Sequence, residues 1–326
     1  YRKFSALDHF TIETNFGPII NIRNKNNNII YWQKNGVGYI PMGERALTSN
    51  DMGNAVQLGV GGIFERYDNI LELIGNSNQF GLVESDEGFT WYDGIRKLLI
   101  TLGNGMKITQ ESIVKGLDSY LVGTIPNNIY TLDNPGHDYG VLGGYDPREK
   151  MVYMTFRTNG LDETIGISIK ENKFVGFFDF KPRLYFNANN YFYATGDTFR
   201  KLYQFGTGTI GSYFGETKNR YFTIIVKEDS NIAKIFDTFE LVGNEHFFNT
   251  IDFTLEDAST IKEYYSGASS RHVSQKLGYR NKRWYGNYPR IDRERLVGGY
   301  VKITFTDSGS EDIRFVQMKT SFRQMI

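Results

Sequence analysis

The chain has 326 residues, of which 40% are hydrophobic and 15% aromatic, with 35 Gly and only 7 Pro. That supplies a core for one large domain or two ordinary ones and argues against a Pro-rich disordered chain. The 37 Lys and Arg balance the 37 Asp and Glu, so global electrostatics favour neither nucleic acid nor an anionic membrane, and the absence of Cys excludes disulfides, thiolate metal sites and a Cys nucleophile.

No apolar run reaches the ~18 residues of a transmembrane helix. No signal-peptide pattern is visible. Tyr1, not Met, opens the chain. A proteolytic product, a trimmed chain or the ordered part of a longer one would each begin this way, so further sequence upstream is expected.

In chain order, residues 9 to 40 read as short strands separated by turns. HFTIET alternates, NFGP turns, and NIRNKNNNIIYW carries an Asn-rich tip suited to left-handed backbone. Residues 44 to 75 hold too many Gly for a long helix. Phe64, Tyr67, Ile70, Leu71 and Ile74 repeat at three and four, which predicts a short helix over 64–74.

A hairpin-like phrase then recurs with drift: FGLVESDEGFTWYDGIRKLLITL from Phe80, YGVLGGYDPREKMVYMTF from Tyr139 and LYFNANNYFYATGDTFRKLYQF from Leu184. Such recurrence suggests stacked or radial β units. An isolated hairpin cannot bury its own apolar face, and propeller blades are one way for several to pack. Residues 80 to 250 read as successive strands, with one helical candidate around Ser230 to Asp237.

Residues 254 to 297 are polar and increasingly basic, with eight Lys or Arg against two acids between Arg271 and Arg295. They read as a long arm. YVKITFT, the turn DSGSED with Gly309, and IRFVQMKTSFR then predict a C-terminal β-hairpin. The expected architecture is mainly β: propeller-like blades over 1–253, incomplete upstream, and a basic protruding arm with a β-hairpin over 254–326.

ESDEGFTW, Glu84 to Trp91, nearly fits the Asp-box S-x-D-x-G-x-T-W of sialidase-type propellers, with Glu84 in place of Ser. In that reading Asp86 bonds turn amides, Gly88 takes a special backbone angle and Trp91 packs between strands. The Asp-box is a structural hairpin, so it favours a fold and not a reaction. Glycoside hydrolysis needs two carboxylates across a sugar; Asp146, Glu216 and Asp237 are candidates only because acids are plentiful. A sialidase also needs an Arg cluster, and the basic residues here concentrate in one late stretch.

His9, His137, His246 and His272 lack the i, i+4 spacing of a helical metal site. There is no G-x-S-x-G elbow. The Gly-rich LGVGGIF and FGTGTIGSYFG lack the Lys-Ser/Thr of a phosphate loop. No catalytic residue, metal or cofactor is expected.

RNKRWYGNYPRIDRER interleaves Arg with Trp284, Tyr285 and Tyr288. Protein–protein hot spots favour this mixture. Nucleic-acid contact by phosphate pairing and stacking, and a plain surface loop of Arg–acid pairs, are the alternatives. Arg283, Trp284, Pro289, Arg290, Arg293 and Arg295 are the candidate interface residues.

Four stretches in this order carry a family resemblance: LGVGGIFERYDN through GLDSYL; YGVLGGYDPREKMVYMTF; KFVGFFDF through GTIGSYFG; and WYGNYPRIDRERLVGGYVKITF. Together they resemble the tail nozzle, or muzzle ("stabilisation") protein, of short-tailed, crAss-like bacteriophages over most of residues 46 to 326. YPR replaces the family's IPR, and LVGG replaces a more basic run into Gly. Pro289 and Arg290 match the PR pair; Arg295, Gly298 and Gly299 match the R-x-x-G-G neighbourhood. The resemblance implies a non-enzymatic structural virion protein of the phage tail. It implies a propeller-bearing subunit of a symmetric ring, with a hexamer expected, which retains packaged DNA and opens a channel for its ejection. Other copies of itself, other tail proteins and transient genomic DNA would be its partners, without membrane insertion. The matched Arg residues would dock the arm against an adjacent domain or subunit. The alternative is a carbohydrate-active propeller, either a sialidase-like glycosidase or a glycan-binding adhesin.

Overall fold

The computed structural model describes residues 9–41, 46–49, 55–58, 67–111, 116–129, 131, 133–134, 137–158, 160–196, 201–227, 232–244, 248–255, 260–264, 277–291, 294–307 and 313–324. Both of its compact units, Tyr1–Gly206 and Thr207–Ile326, are mainly β. The division falls at Gly206 and not at the expected residue 253, which lies inside a strand, Thr250–Thr254, of the second unit. No helix among the described residues is long and apolar enough to cross a membrane.

Asn-rich tips make the tight turns. Asn26 and Asn27 (φ 52° and 56°) join β1 (Ile19–Lys25) to β2 (Asn28–Gln33). Two consecutive left-handed residues form the turn whose twist matches paired strands, and Asn tolerates that backbone. β3 (Gly36–Pro41) follows, then a separate ribbon of β4 (Ala46–Ser49) and β5 (Ala55–Leu58), and β6 (Asp68–Glu72) returns to complete the sheet β1-β2-β3-β6. The helix expected over 64–74 is therefore a strand from Asp68; Phe64 lies outside the described residues. A register shift opposite Val37/Gly38 changes the phase of β6, so its apolar residues lose strict alternation.

The second sheet is the meander β7 (Val83–Ser85), β8 (Gly88–Asp93), β9 (Leu98–Gly103) and β10 (Ile108–Gln110). A seven-residue helix, α1 (Asp118–Thr124), packs Leu121 beside Leu117, Ile125 and Ile129. The third sheet is β11 (Gly140–Asp146), β12 (Met151–Thr158), β13 (Leu161–Ser168) and β14 (Lys173–Phe178). The fourth is β15 (Tyr185–Ala188), β16 (Tyr191–Thr195) and β17 (Leu202–Gln204), with Asn189 and Asn190 again left-handed in its first turn.

These sheets pack face to face in chain order. Trp32 of the first meets Phe89 and Trp91 of the second edge-on, at ring distances of 5.1 and 5.9 Å. On the other face of β8, Tyr92 meets Phe156 of the third sheet at 4.9 Å. On the other face of β12, Tyr153 stacks with Phe192 of the fourth at 5.8 Å. Every residue of β8 and nearly every residue of β12 is thus buried. Alternation along these strands selects which neighbour a side chain meets, not whether it meets water. Each fully buried Phe contributes on the order of 1.5–3 kcal/mol.

The second unit contains a small ribbon, β18 (Ser212–Tyr213) with β19 (Glu216–Thr217), and two larger sheets. Their strands are β20 (Arg220–Val226), β21 (Lys234–Gly243), β22 (Thr250–Thr254), β23 (Thr260–Tyr264), β24 (Gly278–Arg280), β25 (Arg283–Asn287), β28 (Val297–Gly298), β29 (Val301–Asp307) and β30 (Phe315–Gln324), with a third ribbon of β26 (Arg290–Ile291) and β27 (Glu294–Arg295). One sheet runs β20-β29-β22-β23; the other runs β24-β25-β21, with β28 and β30 also on β21. Phe236, Phe239 and Leu241 of one and Ile251, Phe253, Ile303 and Phe305 of the other share one core.

Three expectations are corrected here. Lys234 to Asp237 begin strand β21 and not a helix; Ser230 lies outside the described residues. The C-terminal hairpin does not form: β29 pairs with β20 and β22, whereas β30 pairs with β21 in the other sheet. Gly309 lies outside the described residues. The described part of the long arm is not an arm, because β23, β24 and β25 are built into the two sheets.

Candidate assembly interface

Strand β21 organises the interface candidates. β30 covers one of its edges. β25 pairs with Thr238–Val242 and β28 with Lys234–Ile235 on the other. At the junction a register shift leaves Asp237 as an extra residue between Phe236 and Thr238. There Tyr288 N donates to Asp237 O at 3.1 Å and Phe236 N donates to Leu296 O at 3.0 Å. Tyr288 and Leu296 are buried and pin both ends of the intervening segment. Between them the chain leaves the sheet as the short ribbon Arg290–Arg295, which is what remains of the expected protrusion.

The sequence-predicted residues separate into three environments. Trp284 and Pro289 face inward: Trp284 packs against the core, its Nε1 donates to Asn244 O at 2.9 Å, and Pro289 is buried. Arg283 and Arg295 are held by acids. Arg283 Nη1 meets Glu240 Oε1 at 2.5 Å, and Arg295 pairs with Asp237. Arg290 is exposed on the ribbon. Arg293 lies outside the described residues.

Two further residues shape this site: Lys234, which sequence reasoning missed, and Asp237, which it named only as one of the plentiful acids. Asp237 also takes Arg323 Nε at 2.8 Å and Nη2 at 3.1 Å, so one carboxylate joins the ribbon to the last strand. Lys234 is fully buried, and its Nζ donates to Ile232 O and Gly299 O, each at 3.2 Å. Burying an ammonium costs several kcal/mol unless its protons are bonded, so this Lys ties β21 to the Gly298–Gly299 turn. Both lie in the segment read as a helix, where no pattern marked their role at this site.

The Asp-box reading changes in detail. Trp91 is fully buried as expected, and its Nε1 donates to Gly75 O at 3.0 Å. Gly88 has φ 145°, and a Cβ there would lie 2.0 Å from Leu102 O, so only Gly fits. The Asp86 side chain, however, reaches across to Lys150 Nζ at 2.5 Å. That bond holds the Asp86 carboxyl below its usual range. The carboxylates that bond turn amides are Asp93, which accepts from Ile95 N at 2.9 Å and Arg96 N at 3.0 Å, and Asp146, which accepts from Arg148 N at 2.9 Å. Each follows a Tyr and precedes a left-handed Lys, Lys97 or Lys150. The recurring Tyr-Asp phrase is therefore a turn signature.

The candidate carboxylates for hydrolysis are otherwise engaged: Asp146 with its turn, Asp237 with two Arg, and Glu216 with Lys218 at 2.7 Å. Among the described residues no three His, Asp or Glu side chains converge as a metal site. His246 and His272 lie outside those residues.

Residues 1–198 match the family model of the Crassvirus muzzle protein. The muzzle protein of Bacteroides phage crAss001 is 25% identical over 304 residues, which cover 88% of this chain and 21% of that protein. This alignment is longer than the first unit and so continues into the second. The chain spans about a fifth of the length of that curated relative. With more than half of its residues under the family model, the chain belongs to the Crassvirus muzzle proteins, structural components of a bacteriophage virion tail.

Proposed function

We infer that this chain is a segment of a ring-forming tail subunit which retains packaged DNA and provides the channel for its ejection. Membership in the muzzle family is the observation that carries this reading. Three features of the chain support it.

Successive face-packed meanders are the repeat from which β-propellers are built, and we assign residues 1–206 to a propeller-like body. Such a body is rigid and needs no reaction centre. Second, sheet edges carry apolar side chains that a lone subunit leaves in water. On β14 these are Val175 and Phe177, the latter against Tyr120 of α1 at 4.9 Å; on β20 they are Tyr221, 67% exposed, and Ile225. Open edges with apolar side chains pair readily with further chain. Third, the ribbon Arg290–Arg295 presents an exposed Arg beside a fixed one, which suits docking against an adjacent domain or subunit.

The balanced charge suits a conduit. Each Lys or Arg contact to phosphate adds affinity through counterion release, and a strongly basic lumen would hold DNA in transit. Imaging the purified full-length protein tests the proposal. Rings with a central channel, six-fold if the hexamer is right, are expected; monomers at every concentration would contradict it.

A further inference from the structure

The outer face of the β24-β25-β21-β30 sheet carries a trough of about 490 Å³. Residues directly opposite one another on neighbouring strands share a face. One row across the sheet is therefore Asn287–Thr238–Ser321, and the next is Gly278–Tyr285–Glu240–Lys319. Beyond the first row stands Asp237 with Arg295 and Arg323. Short side chains thus lie between two walls of long ones. The volume falls within the range of small-molecule sites, about 300–1,000 Å³.

The chemistry of the lining narrows the ligand. The floor offers the Thr238 and Ser321 hydroxyls, 2.5 Å apart, and the Asn287 amide. The near wall offers the Glu240 carboxylate, which already accepts from Arg283 at Oε1, the Lys319 ammonium and the Tyr285 ring, 43% exposed. A Cβ added at Gly278, directly opposite Tyr285, would meet nothing within 4 Å among the described residues, which leaves the place beside the ring open to a ligand. Arg283, Arg295 and Arg323 are each bound to an acid on the same protein, which disfavours a polyanion. Hydrolysis needs two available carboxylates, and here Glu240 is paired with Arg283 and Asp237 with two guanidinium groups.

The geometry points to a binding site for a short neutral oligosaccharide. Tyr285 is the platform for a pyranose face, and Thr238, Ser321, Asn287, Glu240 and Lys319 hydrogen-bond its hydroxyls. Every lining residue belongs to the second unit, which also carries the ribbon proposed to dock, so sugar binding is measured apart from ring formation.

Saturation-transfer NMR on the 326-residue chain with maltotriose, cellotriose, chitotriose and mannotriose, followed by titration, tests this. At least one should bind. Tyr285→Ala should weaken that sugar at least tenfold, Tyr285→Phe should keep most of the affinity, and Glu240→Gln should weaken it severalfold, all with unchanged melting temperature. Three results would overturn the proposal: no binding by any of the four, binding that Tyr285→Ala leaves intact, or a trough that instead takes heparin or duplex DNA in a salt-dependent way. If Tyr285→Ala lowers the melting temperature, the Tyr285→Phe and Glu240→Gln titrations decide, and unchanged affinity for Glu240→Gln would then count against the site.

Discussion

Arg323, near the end of the last strand, grips Asp237 with two bonds, Nε to Oδ2 at 2.8 Å and Nη2 to Oδ1 at 3.1 Å. The same carboxylate holds Arg295 of the ribbon. One acid at a bulge thereby connects three segments far apart in sequence. Both guanidinium groups are about half exposed, so each pair is worth only about 0.2–1 kcal/mol. Asp237→Asn should cost roughly 1 kcal/mol in urea unfolding of the chain. A double-mutant cycle with Arg323→Ala should return a coupling of a few tenths of a kcal/mol or more; zero coupling would mean the grip is not formed in solution.

Arg290 separates assembly from folding. It is exposed on the ribbon, so Arg290→Ala should change stability by less than about 0.5 kcal/mol. If the ribbon docks against a neighbour, that variant should shift the full-length protein from rings to smaller species in mass photometry. Arg295→Ala should do the same with a modest further loss of stability. Unfolding of the chain by Arg290→Ala would assign the ribbon to the core instead.

The two Tyr-Asp turns differ in what their Asp supports. Asp93 is fully buried and accepts from the amides of Gly75, Ile95 and Arg96 and from the Arg96 side chain. Among the described residues Asp146 accepts from the amides of Arg148 and Glu149, at 2.9 and 3.4 Å. An unsatisfied buried donor costs about 1–3 kcal/mol. Asp93→Ala should therefore destabilise the chain by about 3 kcal/mol or more, and Asp146→Ala by about half that. Equal losses in chemical denaturation would contradict the ranking.

Asp133 gives a pH signature. Burial raises its carboxyl above the ordinary aspartate range, against bonds from Gln79 N and the Asn78 side chain that lower it. The folded state then binds the proton more tightly than the unfolded state. Between the ordinary and the raised value, stability falls as pH rises, and above the raised value the loss is complete. Asp133→Asn removes this dependence. The melting-temperature difference between variant and parent should move in favour of the variant as pH rises through that window; parallel curves would show that burial does not govern this group.

Much of the fold was legible because local chemistry and tertiary structure agree. The Asn-rich tip at Asn26–Asn27 and the hairpin-like phrase around Asn189–Asn190 were legible, and both are left-handed pairs in hairpins. The aromatic strands from Phe80 to Phe205 read as packed β units and are. The failures have separate physical causes. A register shift opposite β6 changed its apolar phase until Ile70, Leu71 and Ile74 looked helical. In β21 a buried Lys234 and an extra Asp237 broke the alternation, and most of the groups that satisfy them, Arg295, Gly299 O and Arg323, lie far along the chain. β29 and β30 are neighbours in sequence, yet each pairs in a different sheet of the second unit, and alternation alone carries no information on that choice. For the same reason Trp284 read as a surface anchor although its partners, Leu241 and Asn244, draw it into the core.

Electron microscopy of intact virions labelled with an antibody raised against this 326-residue segment tests the tail-ring account most directly. Label arranged as a ring around an axial channel at the distal end of the tail is the predicted result. Label confined to the capsid or to peripheral fibres would contradict it.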